Sequence, residues 1–140
     1  MEIKVAVVTP TIASKHLDQC LQSVNNQTYK NLTHYIFIDG SQYEEQTKQI
    51  LVRSPKVWQK TIKLEENVGK GWYGHRVYAA FTHLVNTEYI GYLDQDNWLY
   101  RSHVEQCIKT INTRNNICRA PSNLVCVGND CINTYFLPIS

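Results

Sequence analysis

Apolar positions along the chain switch repeatedly between two periods. Val5-Ala6-Val7-Val8 is an unbroken apolar run closed by Thr9-Pro10-Thr11, the pattern of a strand buried on both faces. Leu17, Cys20, Leu21 and Val24 follow at i, i+3, i+4 and i+7, which predicts a helix with Ser14 as its N-cap. Tyr35-Ile36-Phe37-Ile38 predicts a second strand, ending on Asp39-Gly40-Ser41. Ser41 and Glu44 have capping-box spacing, and Tyr43, Thr47, Ile50 and Leu51 give the helix behind them an inward face. Val57 to Leu64 predicts a third strand. Beyond Gly69, Gly71 and Gly74, a helix is marked by Val77, Phe81, Leu84 and Val85. Tyr89-Ile90-Gly91-Tyr92-Leu93 then predicts a strand that stops on Asp94-Gln95-Asp96-Asn97. Ser102 with Glu105 is a second capping box, opening a helix with Val104, Cys107, Ile108 and Ile111 inward. Leu124 to Val127 is the last predicted strand, ahead of a short tail containing Phe136, Leu137 and Pro138.

This alternation of strands and helices predicts an α/β fold with a largely parallel sheet and helices on both faces. In such sheets ligands bind outside the carboxyl ends of the strands, near a topological switch point. Thr9-Pro10-Thr11, Asp39-Gly40-Ser41 and Asp94-Gln95-Asp96 all end strands, so three polar clusters are expected to meet there.

A length of 140 residues suits one domain, residues 1–140. The formal net charge of +2 is too small for a charge-built nucleic-acid footprint. No apolar stretch approaches the ~20 residues that span a bilayer. Met1-Glu2-Ile3-Lys4 leads straight into the first strand without the segments of a secretory leader, so a cytoplasmic location is expected. Cys20, Cys107, Cys118, Cys126 and Cys131 are odd in number and widely spaced. They predict buried free thiols, not a disulfide framework or a zinc site. A Tyr-rich sheet face would suit a homodimer.

Asp94 and Asp96 stand two apart after an apolar strand, and residues i and i+2 of an extended segment project to one side. Two carboxylates facing one site repel unless a cation or a proton lies between them. Hard oxygen donors favour Mg²⁺ or Mn²⁺, with substrate phosphates completing the shell; the other reading is a solvated Asp/Asn turn. Asp39 can take hydrogen bonds from a ligand such as a base N–H, or hold a turn. Asn67, Gly69, Lys70, Gly71 and Gly74 let backbone approach a ligand closely, and Lys70, His75 and Arg76 can face phosphates. Neither the phosphate-loop spacing nor the dinucleotide fingerprint is present. Trp98, beside the acidic turn, is the aromatic residue singled out for ligand contact.

Taken in order, five segments resemble the family 2 glycosyltransferases of the GT-A fold. They are Val7-Val8-Thr9-Pro10-Thr11, Leu21-Gln22-Ser23-Val24-Asn25-Asn26-Gln27-Thr28-Tyr29, Ile38-Asp39-Gly40-Ser41, Glu66-Asn67-Val68-Gly69 and Leu93-Asp94-Gln95-Asp96-Asn97, spread over residues 3–98. The resemblance implies a single-domain, three-layer α/β/α, Rossmann-like architecture with a mostly parallel sheet. It implies a nucleotide-diphospho-sugar donor, typically a UDP-sugar, with Mn²⁺ or Mg²⁺ as cofactor, and an acceptor it does not identify. By position, Thr9, Pro10 and Thr11 lie by the nucleoside, and Asp39 contacts the base. Asn67, Gly69 and Lys70 line the nucleotide-sugar pocket, with His75 and Arg76 beside them. Asp94-Gln95-Asp96 is the Asp-x-Asp motif, its two carboxylates binding metal and diphosphate.

The pattern departs from the family after Asn97. Family members continue with an acceptor-binding part that carries a catalytic carboxylate, which deprotonates the acceptor hydroxyl for inverting transfer. Here about forty residues follow, and Asp130, the sole acidic residue after Glu105, is the candidate base. The expected protein is a minimal, C-terminally truncated glycosyltransferase, able to transfer the sugar or to hydrolyse the donor slowly. The alternative is a non-catalytic nucleotide-sugar-binding module, or a fragment of a split enzyme.

Overall fold

The computed structural model describes residues 3–54 and 58–114, together with the strand backbones at 118–119, 125–127, 130–131 and 135–138, and side chains up to residue 110. The elements run β1 (Val5–Thr11), α1 (Leu17–Asn25), β2 (Leu32–Asp39), a 3₁₀ turn (Ser41–Tyr43), α2 (Glu44–Arg53) and β3 (Gln59–Leu64). They continue with α3 (His75–Phe81), β4 (Tyr89–Tyr92), β5 (Trp98–Leu99), α4 (His103–Arg114), β6 (Cys118–Arg119), β7 (Val125–Val127), β8 (Asp130–Cys131) and β9 (Tyr135–Pro138).

The main sheet has the order β3-β2-β1-β4-β9-β6. Its first four strands are parallel, whereas β9 runs antiparallel to both β4 and β6. The remaining strands, β5-β7-β8, form a small antiparallel sheet. The chain passes from β1 to β2 on one side and later returns to β4 on the other. That reversal opens a crevice at the carboxyl end of β1.

Period two along β1 divides the core. Val5 and Val7 enter a cluster with Cys20 and Val24 of α1 and Val104, Cys107 and Ile108 of α4. Ala6 and Val8 point the other way, against Val77 and Phe81 of α3. Leu17, Leu21 and Ile36 pack with Ile50 and Leu51 of α2. Helices therefore cover both faces, and the three-layer, mostly parallel architecture is as the sequence predicts. Each fully buried Leu, Ile or Phe side chain contributes about 1.5–3 kcal/mol. Phe81 also meets the Tyr35 and Phe37 rings, at 4.8 and 4.9 Å between centroids.

Several local expectations differ from the structure. Ser14 does not cap α1: its Oγ accepts the His16 N–H at 3.2 Å, and the helix begins only at Leu17. The Ser41–Glu44 box does not form, because Ser41 N–H and Oγ both donate to the Glu65 carbonyl while Glu44 pairs with Lys48 and Lys63. Glu105 is likewise drawn to Thr28 and Lys109. Helix α3 stops at Phe81, leaving Leu84 70% exposed, with only Val85 packed against the core. Strand β3 begins at Gln59, and Val57 lies outside the described residues. The tail is β9, an antiparallel strand of the main sheet. Cys20 and Cys107 are buried thiols outside any disulfide; the side chains of Cys118, Cys126, Cys131 and Ile111 lie outside the described ones.

Candidate functional site

The carboxyl end of β2 is tied to the loop after β3. Asp39 is 3% exposed, and its two oxygens accept the Val68 and Gly69 N–H groups, each at 2.8 Å. Ser41 doubles the connection through the Glu65 carbonyl, at 3.2 Å from its N–H and 3.1 Å from Oγ. A side chain at position 69 has no room: a Cβ there would lie 2.4 Å from Asp39 Oδ2 and 3.3 Å from the Gly74 backbone. Gly69→Ala is therefore expected to cost about 1–3 kcal/mol, read as a fall in the urea midpoint at unchanged slope. An unaltered midpoint would show that the loop can move away from Asp39.

The acidic segment is built differently from the extended stretch its spacing suggests. Asp94 to Asn97 form a turn, closed by the Asn97 N–H on the Asp94 carbonyl at 3.0 Å. The turn exposes both carboxylates. Between them, Gln95 Oε1 accepts three donors from the exit of β1: Thr11 Oγ1 at 2.8 Å, Ile12 N–H at 3.0 Å and Ser14 N–H at 3.2 Å. Asp94 Oδ1 accepts the Tyr78 hydroxyl at 2.5 Å. Burial, followed by the Asp94 carboxylate, pushes the Tyr78 phenol pKa far up, so the proton stays on the tyrosine.

The segment after the turn is fastened to α1. Ser23 Oγ accepts the Leu99 N–H at 3.0 Å. The buried Gln27 carboxamide donates to the Ser23 and Tyr100 carbonyls and accepts the Val104 N–H at the start of α4. Sequence reasoning quoted Gln27 only as part of a helix signature. Its role depends on residues some 75 positions away, which no local pattern reveals.

These loops enclose one cavity of about 590 Å³ at the carboxyl ends of β1, β2 and β4. Pro10, Thr11, Asp39, Asn67, Gly69, Lys70, Asp94, Gln95 and Asp96 all line it, so most of the predicted site residues are brought together. Ile12, Gln42, Tyr43 and Tyr73 also line it and were not anticipated as site residues. Asn67 brings a buried Oδ1 with no partner among the described residues.

Thr9, Arg76, His75 and Trp98 are not brought into the cavity. Thr9 is fully buried on β1, where its hydroxyl meets His34 Nε2 at 2.9 Å; it shares a face with Thr11 but lies deeper along the strand, away from its carboxyl end. Arg76 stacks its guanidinium over Trp72, 4.9 Å from the ring centroid, because α3 directs it outward. His75 lies edge-on to Tyr78 at 6.3 Å. Trp98 is half-buried at the start of β5. Asp130 lies on β8, with its backbone paired to Val127, and its side chain is not among those described.

The donor set is compatible with a divalent cation. Among the described residues no group of three or more His, Cys, Asp and Glu side chains converges. Asp94 and Asp96 can thus provide at most two protein ligands, the arrangement in which Mg²⁺ takes its remaining oxygens from phosphate and water. Asp96 makes no hydrogen bond or ion pair with the described residues, and Asp94 keeps Oδ2 for a ligand. No helix among the described residues is long and apolar enough to cross a membrane.

Comparison with known proteins agrees with this geometry. TarS 1-349 from S. aureus, in complex with UDP-GlcNAc, superposes with a TM-score of 0.65 at 23% identity, over 79% of this chain and 32% of that one. The mannosyltransferase PcManGT from Pyrobaculum calidifontis, in complex with GDP-Man and Mn²⁺, gives 0.66 at 15% identity, over 84% and 34%. At such identities the likeness shows the GT-A fold, and the chain spans about a third of the length of these two proteins. No curated protein matches the chain. The sequence profile of Glycosyl transferase family 2, in contrast, matches residues 6–129. That span contains every residue that lines the cavity, and the chain belongs to glycosyl transferase family 2.

Proposed function

We propose that the chain binds a nucleotide-diphospho-sugar, with UDP as the nucleotide, together with Mn²⁺ or Mg²⁺, and that it transfers the sugar. The carrying observation is the convergence of Asp94, Asp96, Lys70 and the anchored loop at 67–71 on one cavity at the switch point of the sheet. Asp94 and Asp96 would hold the cation, which when bound supplies positive charge for the leaving diphosphate. Lys70 adds a mobile ammonium for the same phosphates. The backbone at Gly69 can approach the ligand closely because it carries no Cβ. Asp39 reads the base in this proposal only with lone pairs left over from the Val68 and Gly69 N–H groups; its first task is to hold the loop. Asp130 is the proposed base for inverting transfer, deprotonating the acceptor hydroxyl; without an acceptor, water takes that place and the donor is hydrolysed. The likeness to folds that hold UDP-GlcNAc and GDP-Man supports a nucleotide-sugar donor.

The test is a thermal-shift series with UDP, GDP, CDP and dTDP, each with Mn²⁺, Mg²⁺ or EDTA. A ligand at 100 times its dissociation constant adds about 2.7 kcal/mol, several degrees for a domain of this size. UDP is expected to give the largest shift, and EDTA to abolish most of it. Asp96→Asn is expected to weaken metal-dependent UDP binding about a hundredfold or more, since even outer-shell partners of metal ligands are worth about 10–100-fold, with little change in stability because Asp96 is exposed. Calorimetry showing equal affinity for UDP in the variant and the wild type would sink the metal assignment. A second reading is a nucleotide-sugar-binding module that transfers nothing alone. It predicts the same shifts with no sugar released from a UDP-sugar.

A further inference from the structure

We infer that Tyr78 is a positioning residue for Asp94, fixing the orientation in which that carboxylate meets the cation and the diphosphate. This inference rests on the metal reading proposed above. Asp94 projects from an exposed turn, where a short carboxylate would otherwise sample several rotamers. The phenol of Tyr78 donates to Asp94 Oδ1 at 2.5 Å and leaves Oδ2 for a ligand.

Tyr78 can do this because it is itself held at both ends. Its ring packs edge-on against Tyr92, 4.9 Å between centroids at 68°. Its backbone N–H bonds the Gly74 carbonyl at 3.1 Å. Gly74, at φ +78°, starts α3 so close to β1 that a Cβ there would lie 3.0 Å from Pro10 Cγ. The helix therefore begins hard against the exit of β1, and a residue one turn in reaches across to the end of β4. Gln95 is clamped to the β1 exit from the other side. Asp94 is thus constrained through both its backbone turn and its own carboxylate, so one of the two like charges is held in place before any cation arrives. Partners of metal-binding carboxylates typically govern affinity by 10–100-fold.

The experiment compares wild type, Tyr78→Phe and Tyr92→Phe in the full chain. UDP binding is measured by calorimetry with Mn²⁺ and again in EDTA, and unliganded melting is recorded for each protein. Tyr92→Phe deletes a hydroxyl from the same aromatic stack without touching Asp94, so it reports on a merely structural role. The expected result is a tenfold or greater loss of Mn²⁺-dependent UDP affinity in Tyr78→Phe, an unchanged affinity in EDTA, and wild-type behaviour in Tyr92→Phe. Wild-type affinity in Tyr78→Phe, an equal loss in EDTA, or an equal loss in Tyr92→Phe would each overturn the inference. If the wild type binds UDP as well in EDTA as in Mn²⁺, or fails to bind it, the metal reading falls and carries the inference with it. If wild-type binding depends on Mn²⁺ and Tyr78→Phe does not alter it, the inference alone falls.

Discussion

Asp39→Ala is expected to destabilise the protein by about 3–5 kcal/mol and to abolish nucleotide binding. Two charge-assisted hydrogen bonds hold the Val68 and Gly69 N–H groups at 2.8 Å. Bonds of that kind are worth about 1.5–3 kcal/mol each, and removing the acceptor strands its buried donors. Gly69 and Asp39 are both buried, so water cannot readily replace the carboxylate. The lost loop is also the wall of the cavity that carries Asn67, Gly69 and Lys70, so binding fails with stability. For a chain of this length the melting temperature should drop by roughly 10 °C. A variant melting within 2 °C of wild type would show that Asp39 does not hold the loop, and one binding UDP normally would show that binding needs neither the carboxylate nor the anchored loop.

Acidification from pH 6.5 to 4.5 is expected to have an effect of similar size. His34 and His103 are fully buried, and burial pushes their imidazoles down to about 3 and about 4. In the unfolded chain both titrate near 6.5. Below that pH the unfolded state takes up protons that the native state refuses, so stability falls as pH falls. The contribution is complete above pH 6.5 and drains away toward the native values. With up to 1.4 kcal/mol per pH unit for each histidine, the loss by pH 4.5 is roughly 4 kcal/mol. The carboxyls of Glu44 and Glu105, held below the usual carboxylate range by hydrogen bonds from their lysine neighbours, contribute their own losses only at lower pH. Urea midpoints measured at pH 7.5, 6.5, 5.5 and 4.5 should decline steadily; a flat profile would mean that both histidines charge without unfolding. His34 is paired with Thr9 at 2.9 Å, and burial also pushes the adjacent Cys20 thiol up to about 12. This group of Thr9, His34 and Cys20 is buried in the core.

What the residues alone determined is the layered fold and the edge at which the site lies. Apolar runs in β1, β2 and β4 and the period of three to four in α1 and α4 are local properties, and burial rewards each one independently of its partners. The polar residues that end those strands follow from the same rule, because a strand in a parallel sheet must leave the core where its apolar run stops. Hence Pro10, Thr11, Asp39, Asp94, Gln95 and Asp96 could be expected at one edge of the sheet; the resemblance to the family added Asn67, Gly69 and Lys70, and all nine line one cavity.

The division of labour among them was decided only by tertiary structure. Hydrogen bonds go to whichever partner the packing presents, and the partners of Asp39, Gln95 and Asp94 lie 30, 84 and 16 positions away. Asp39 therefore became an anchor for a loop, Gln95 a clamp on the exit of β1, and Tyr78 the residue holding Asp94. Thr9 was expected by the nucleoside and lies outside the cavity, deeper along the same face of β1 as Thr11, because a fully buried strand carries no local mark of where it leaves the core. Both capping boxes failed for the same physical reason: Glu65 claimed Ser41, and Thr28 with Lys109 claimed Glu105. Strand β9 escaped notice because its antiparallel place beside β4 depends on how the chain returns to the sheet, and sequence periodicity is blind to that path.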